Sequence, residues 1–99
     1  MDKDTSYFFT LVYQFSEMAM IGMGKLPGPD GKVGPVQLEA ARFAIDVLEM
    51  LDRKTKGNRT DDEERFLQQT LTNLRLNFVD EANRVAAAPS PVEETTTQA

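Results

Sequence analysis

The sequence predicts an all-α protein of three main helices, at about residues 5–23, 35–56 and 60–86, packed as a helical bundle that dimerisation completes. Three observations point there. Leu, Ala, Met, Glu and Gln outnumber the β-branched Val, Ile and Thr, a bias toward helix. Apolar residues recur at spacings of three and four along each segment. The prolines and glycines fall between these segments or at their ends, where they punctuate rather than interrupt.

The first helix has Asp4, Thr5 or Ser6 available as a cap, because a short side-chain oxygen accepts from the orphan N–H groups of an opening turn. It runs to about Met23, where Gly24 and the stretch "KLPGPDGKVGP" end it in an irregular connector. Phe8, Leu11, Phe15, Met18 and Gly22 form one seam on it, and Phe9, Val12, Ala19 or Met20, and Met23 form a second beside it. Pro35 suits the opening of the second helix, since its fixed φ and missing N–H cost nothing in a first turn. Along that helix Glu39, Arg42, Asp46, Glu49 and Arg53 draw one narrow polar stripe, with Glu49 and Arg53 spaced for an i,i+4 pair.

The charge reversal in "KTKGNRTDDEE" marks the joint between the second and third helices. Lys54 and Lys56 oppose the negative helix end, and Gly57 or Asn58 supplies a left-handed stop. Thr60 caps the third helix, Glu63 completes a capping box, and the other carboxylates complement its positive end. Leu67, Leu71, Leu74, Phe78, Ala82 and Val85 then make a single seam, the mark of an outer, one-sided helix. Residues 1–88 thus form one helical domain. The Pro-, Ser-, Thr- and Glu-rich segment 89–99 lacks the apolar content to offset the entropy of ordering and is expected to be a flexible tail.

Composition excludes several functions. With no Cys and no His, disulfides, thiolate nucleophiles, Cys/His zinc sites and imidazole bases are ruled out. A net charge of -5 leaves no broad electrostatic footprint for nucleic acid. The acidic start "MDKD" does not resemble a secretory signal, and Gln14, Glu17 and Lys25 interrupt the apolar run from Tyr7 to Leu26, so a cytoplasmic location without a membrane span is expected. The run Asp61 to Glu64 lacks the alternation and glycine of a calcium loop. "GPDGKV" and "GMGKLP" lack the glycine spacing of phosphate and dinucleotide loops. No cofactor is implied. Asp46 and Glu49, the pair an acid–base enzyme would use, lie on the charged stripe rather than in a dry pocket, so no catalysis is expected.

Two surfaces stand out. Arg53, Lys54, Lys56 and Arg59 form a basic tip that either meets an acidic group or only complements a helix dipole. The first two helices carry more apolar surface than a one-seam third helix covers, which implicates Phe8, Phe9, Val12, Phe15, Ala19, Met20 and Met23 with Phe43 and Val47 in a homodimer interface. The chain is therefore expected to be an interaction or assembly module that pairs with itself. The alternatives are an unidentified protein partner and a Met- and Phe-rich groove for a peptide or apolar ligand.

The stretch "ARFAIDVLEMLDRKTKGNRTDDEERFLQQTLTNLRLNFVD", with "FFTLVYQFSEMAMIGMGKLP" before it, resembles the small bacterial family called domain of unknown function 1844 over roughly residues 5 to 81. The resemblance implies a small helical protein without an assigned activity, so no catalytic residue is carried over.

Overall fold

The computed structural model describes residues 2–87, so the expected tail at 89–99 lies outside the described residues. Three helices follow in order: α1 (Lys3–Gly22), α2 (Leu38–Thr55) and α3 (Asp61–Ala87). Two long-range contacts fix their directions. Thr5, at the start of α1, donates its hydroxyl to Glu63 at the start of α3, 2.8 Å away. Lys25, just past the end of α1, reaches Glu81 near the end of α3 at 3.5 Å. These two helices therefore run parallel, and α2 returns antiparallel between their ends.

The helix boundaries shift where tertiary contacts take over local ones. Asp2, not Asp4, Thr5 or Ser6, caps α1, accepting the Thr5 N–H at 2.8 Å. Thr5 is committed instead to Glu63. At the second helix, Pro35 lies outside; α2 begins at Leu38, after Gln37, whose φ of -127° and ψ of 84° are not helical and whose N–H donates to the carbonyl of Gly22 at 2.6 Å. The Gly24 and Gly57 backbones take positive φ of 72° and 87° just beyond the ends of α1 and α2, where glycine avoids the strain a Cβ would bring. At α3 the capping box forms as the spacing predicts: Thr60 Oγ1 accepts from Glu63 N at 3.1 Å and Glu63 Oε1 accepts from Thr60 N at 2.8 Å.

The core lies along the common axis of the three helices. Val12, Ala19 and Met23 of the α1 segment meet Ala41, Ala44, Ile45 and Leu48 of α2 and Leu67, Leu71 and Leu74 of α3. Alanines and Gly22 at the α1–α2 crossing let the two backbones approach closely. Polar links close the α2–α3 seam: Gln68 donates to Asp52 at 3.0 Å, Arg75 donates to Glu49 at 3.0 Å, and Arg42 stands 5.5 Å from the Phe78 ring centre. Glu49 pairs with Arg42 and Arg75 rather than with Arg53 as the spacing suggested, because Glu49 itself faces α3.

Candidate functional site

The second seam of α1 is not an open surface. Val12, Ala19 and Met23 are fully enclosed by α2 and α3, which corrects their assignment to an interface. Phe9 stacks on Phe66 of α3 with ring centres 5.0 Å apart, and Phe8, Phe15 and Met20 are half-buried against the same core. Hence α3 covers more than a single seam: Phe66, on the flank of its leucine row, adds a second apolar contact. No Met- and Phe-rich groove is left along this side of α1.

A contiguous row of uncovered apolar residues lies on the other side, apart from the exposed Leu76, Val79 and Val85 of α3. With about 100° between successive helical residues, Tyr7, Leu11 and Met18 share the flank of α1 that borders α2 and faces away from α3. Phe43, Val47 and Met50 share the matching flank of α2. Tyr7 is 64% exposed and Phe43 60%; Leu11, Met18 and Met50 are exposed as well, and Val47 is half-buried. Because α1 and α2 are antiparallel neighbours, the two rows lie side by side as one strip. Of the residues singled out from the sequence, Phe43 and Val47 belong to it, whereas Tyr7 and Met50 were missed. Leu11 and Met18 were visible in the first seam of α1, and only the position of α3 shows that their flank is the uncovered one.

At one end of the strip, the connector folds over the end of α1 and encloses a cleft of 480 Å³. Met18, Ile21 and Pro35 supply apolar walls, and Gln14, Glu17 and Asp30 supply polar ones. Glycines turn this connector: Gly31 has a φ of 78°, and Asp30 accepts the Lys32 N–H at 3.0 Å.

The basic tip separates into two kinds of residue. Arg53, Lys54 and Lys56 are exposed and make no ion pair among the described residues. Arg59 is different, with its side chain only 5% exposed. It bonds Glu64, the Asp52 carboxylate at 3.0 Å, the Asp52 carbonyl at 2.7 Å and Thr55 Oγ1 at 3.1 Å, clasping the end of α2 to the start of α3. It is a staple, not a tip available to a partner.

Thr60 and Glu63 likewise hold the fold together. Glu63 is 7% exposed and uses one oxygen for Thr60 N and the other for Thr5, so one carboxylate serves both the cap and the α1–α3 junction. Glu81 is also buried and is matched by Lys25 and Arg84. Every buried side-chain polar atom among the described residues has a partner, and no cluster of carboxylates there is arranged to hold a metal ion. No helix of the described residues is long and apolar enough to cross a membrane.

No curated protein and no solved structure matches this chain. A family model described as "Domain of unknown function (DUF1844)" matches residues 5–80, which takes in all of α2, nearly all of α1 and most of α3. The match covers the capped joint, the clasp and the apolar strip alike, and the chain belongs to the domain of unknown function 1844 family.

Proposed function

We propose that this chain is a small interaction module that pairs with a second copy of itself through the outer face of α1 and α2, with no catalytic chemistry of its own. One observation carries the proposal: Tyr7, Leu11, Met18, Phe43, Val47 and Met50 lie in one strip that α3 leaves uncovered. Fully burying an exposed side chain of this kind is worth about 1.5 to 3 kcal/mol; these are about half exposed, so each adds part of that, and together they favour association in water. A two-fold pairing covers it with copies of the same surface. The absence of Cys and His and the pairing of the buried carboxylates support a non-catalytic role. The proposal carries with it the cytoplasmic location expected from the sequence, which cell fractionation tests.

Light scattering on the wild type, Leu11→Glu and Phe43→Glu is the deciding experiment. A dimeric wild type and monomeric variants that keep their helical circular dichroism are expected. A wild type that stays monomeric at tens of micromolar contradicts the proposal. That outcome favours the second reading, a ligand-binding module, whose support is the 480 Å³ cleft beside Met18 and Ile21.

A further inference from the structure

The strip has a charge polarity along its length. At the end formed by the start of α1 and the end of α2 stand Lys3, Arg53, Lys54 and Lys56, against Asp2 and Asp4. At the opposite end, where α1 finishes and α2 begins, stand Glu17, Asp30 and Glu39, against Lys32. None of these ten side chains joins an ion pair among the described residues, in contrast to the paired charges of the α2–α3 seam. Among the unpaired charges of α1, α2 and the connector, one end thus carries an excess of cations and the other an excess of carboxylates, with the apolar residues between them.

We infer that the second copy docks head to tail along this strip, each copy's basic end lying over its partner's acidic end. This rests on the proposed self-association and adds its orientation. A two-fold axis through the middle of the strip, near Leu11 and Val47, generates this arrangement and brings opposite charges together at both ends. The other two-fold arrangement, with the axis along the helices, puts basic end on basic end and acidic end on acidic end. Like charges facing each other suppress that pairing. In the head-to-tail arrangement the partner's basic end covers the cleft beside Glu17 and Asp30, so the cleft belongs to the interface rather than to a separate ligand.

Cysteine cross-linking tests the orientation cleanly, because the chain contains no cysteine. Positions 39 and 54 lie about 22 Å apart along α2, from the helical rise of about 1.5 Å per residue. Glu39→Cys and Lys54→Cys chains are mixed, allowed to exchange subunits and treated with a bifunctional maleimide shorter than that separation. Covalent dimers are expected from the mixture and not from either variant alone. As a second measure, Lys54→Glu is expected to weaken the dimer by about 2- to 30-fold, from two exposed charge pairs, and adding Glu39→Lys to the same chain is expected to restore it. Efficient cross-linking of Lys54→Cys with itself, or no cross-linking of the mixture while light scattering shows dimers, overturns the orientation and leaves the face intact. A monomeric wild type overturns both.

Discussion

Replacing Gly22 by alanine sets two physical effects against each other and lets the sign decide. Gly22 is the last residue of α1, where helix propensity alone favours alanine over glycine by at most about 1 kcal/mol. The position is also where α1 and α2 come closest. A Cβ there would stand 2.9 Å from the Ala41 backbone nitrogen, 3.2 Å from the Gln37 carbonyl oxygen and 3.3 Å from the Ala41 Cα. All three are backbone atoms, so no side chain can swing away; either α2 retreats or α1 does. Retreat loosens the contacts around buried Ala19, Ala41 and Ala44 and stretches the 2.6 Å bond from Gln37 N to Gly22 O. Overpacking of a close contact costs about 1 to 3 kcal/mol, which exceeds the propensity gain, so Gly22→Ala is expected to destabilise by up to about 2 kcal/mol net. Urea denaturation followed by circular dichroism measures this, with Gly34→Ala as the control. A Cβ at Gly34 would meet nothing within 4 Å, and the backbone there has no positive φ, so the alanine variant should be neutral or more stable by about 0.4 to 1 kcal/mol. A Gly22→Ala protein as stable as the control would refute the close crossing of α1 and α2.

Three further expectations follow from the joints of the bundle. Thr60→Ala should cost about 0.5 to 2 kcal/mol and Thr60→Asp much less, because Asp retains the acceptor for Glu63 N; equal losses in denaturant would reject the capping box. Arg59→Lys should cost about 1 to 3 kcal/mol, since one ammonium cannot reproduce the forked bonds to Asp52, Thr55 and Glu64; a thermal melt unchanged from wild type would show that the clasp does not form. The Thr5 N–H bonded to Asp2 holds that carboxyl below its ordinary range. Its folded pKa is therefore the lower one, so its contribution to α1 is present above the ordinary carboxylate range and lost as the pH falls through the folded value. The Thr5 amide resonance should report that acid step in the wild type and lose it in Asp2→Asn, and an unaltered step in the variant would assign the titration elsewhere.

Features set by neighbours in sequence were the legible ones. The Thr60–Glu63 box and the Gly57 stop involve residues three apart or fewer, so the pattern contains all that the geometry needs. The start of α1 was misplaced although its cap, Asp2 on the Thr5 N–H, is local; distant partners draw off the Thr5 hydroxyl and the chain ahead of α2. Glu63, 58 positions away, takes the Thr5 hydroxyl, and Gly22 takes the Gln37 N–H, tying the chain to the end of α1 just ahead of Leu38. Helical periodicity showed two apolar seams on α1 but not which one α3 would cover. Phe66, off the leucine row, moved the cover to the Phe9 side and left Tyr7, Leu11 and Met18 outside. Arg59 was indistinguishable from its basic neighbours until its fork was seen between two helices, and the burial of Glu81 was hidden because one of its two cations, Lys25, comes from the connector, while the other, Arg84, is an ordinary i,i+3 neighbour.

The central claim is that the strip formed by α1 and α2 is covered by a second copy. Sedimentation velocity of the wild-type protein over a dilution series from tens of micromolar downward tests it most directly. The expected result is a species of twice the 11.1 kDa chain mass at the upper concentrations, dissociating on dilution and absent at every concentration in Leu11→Glu. A single species of 11.1 kDa throughout the series would contradict the claim.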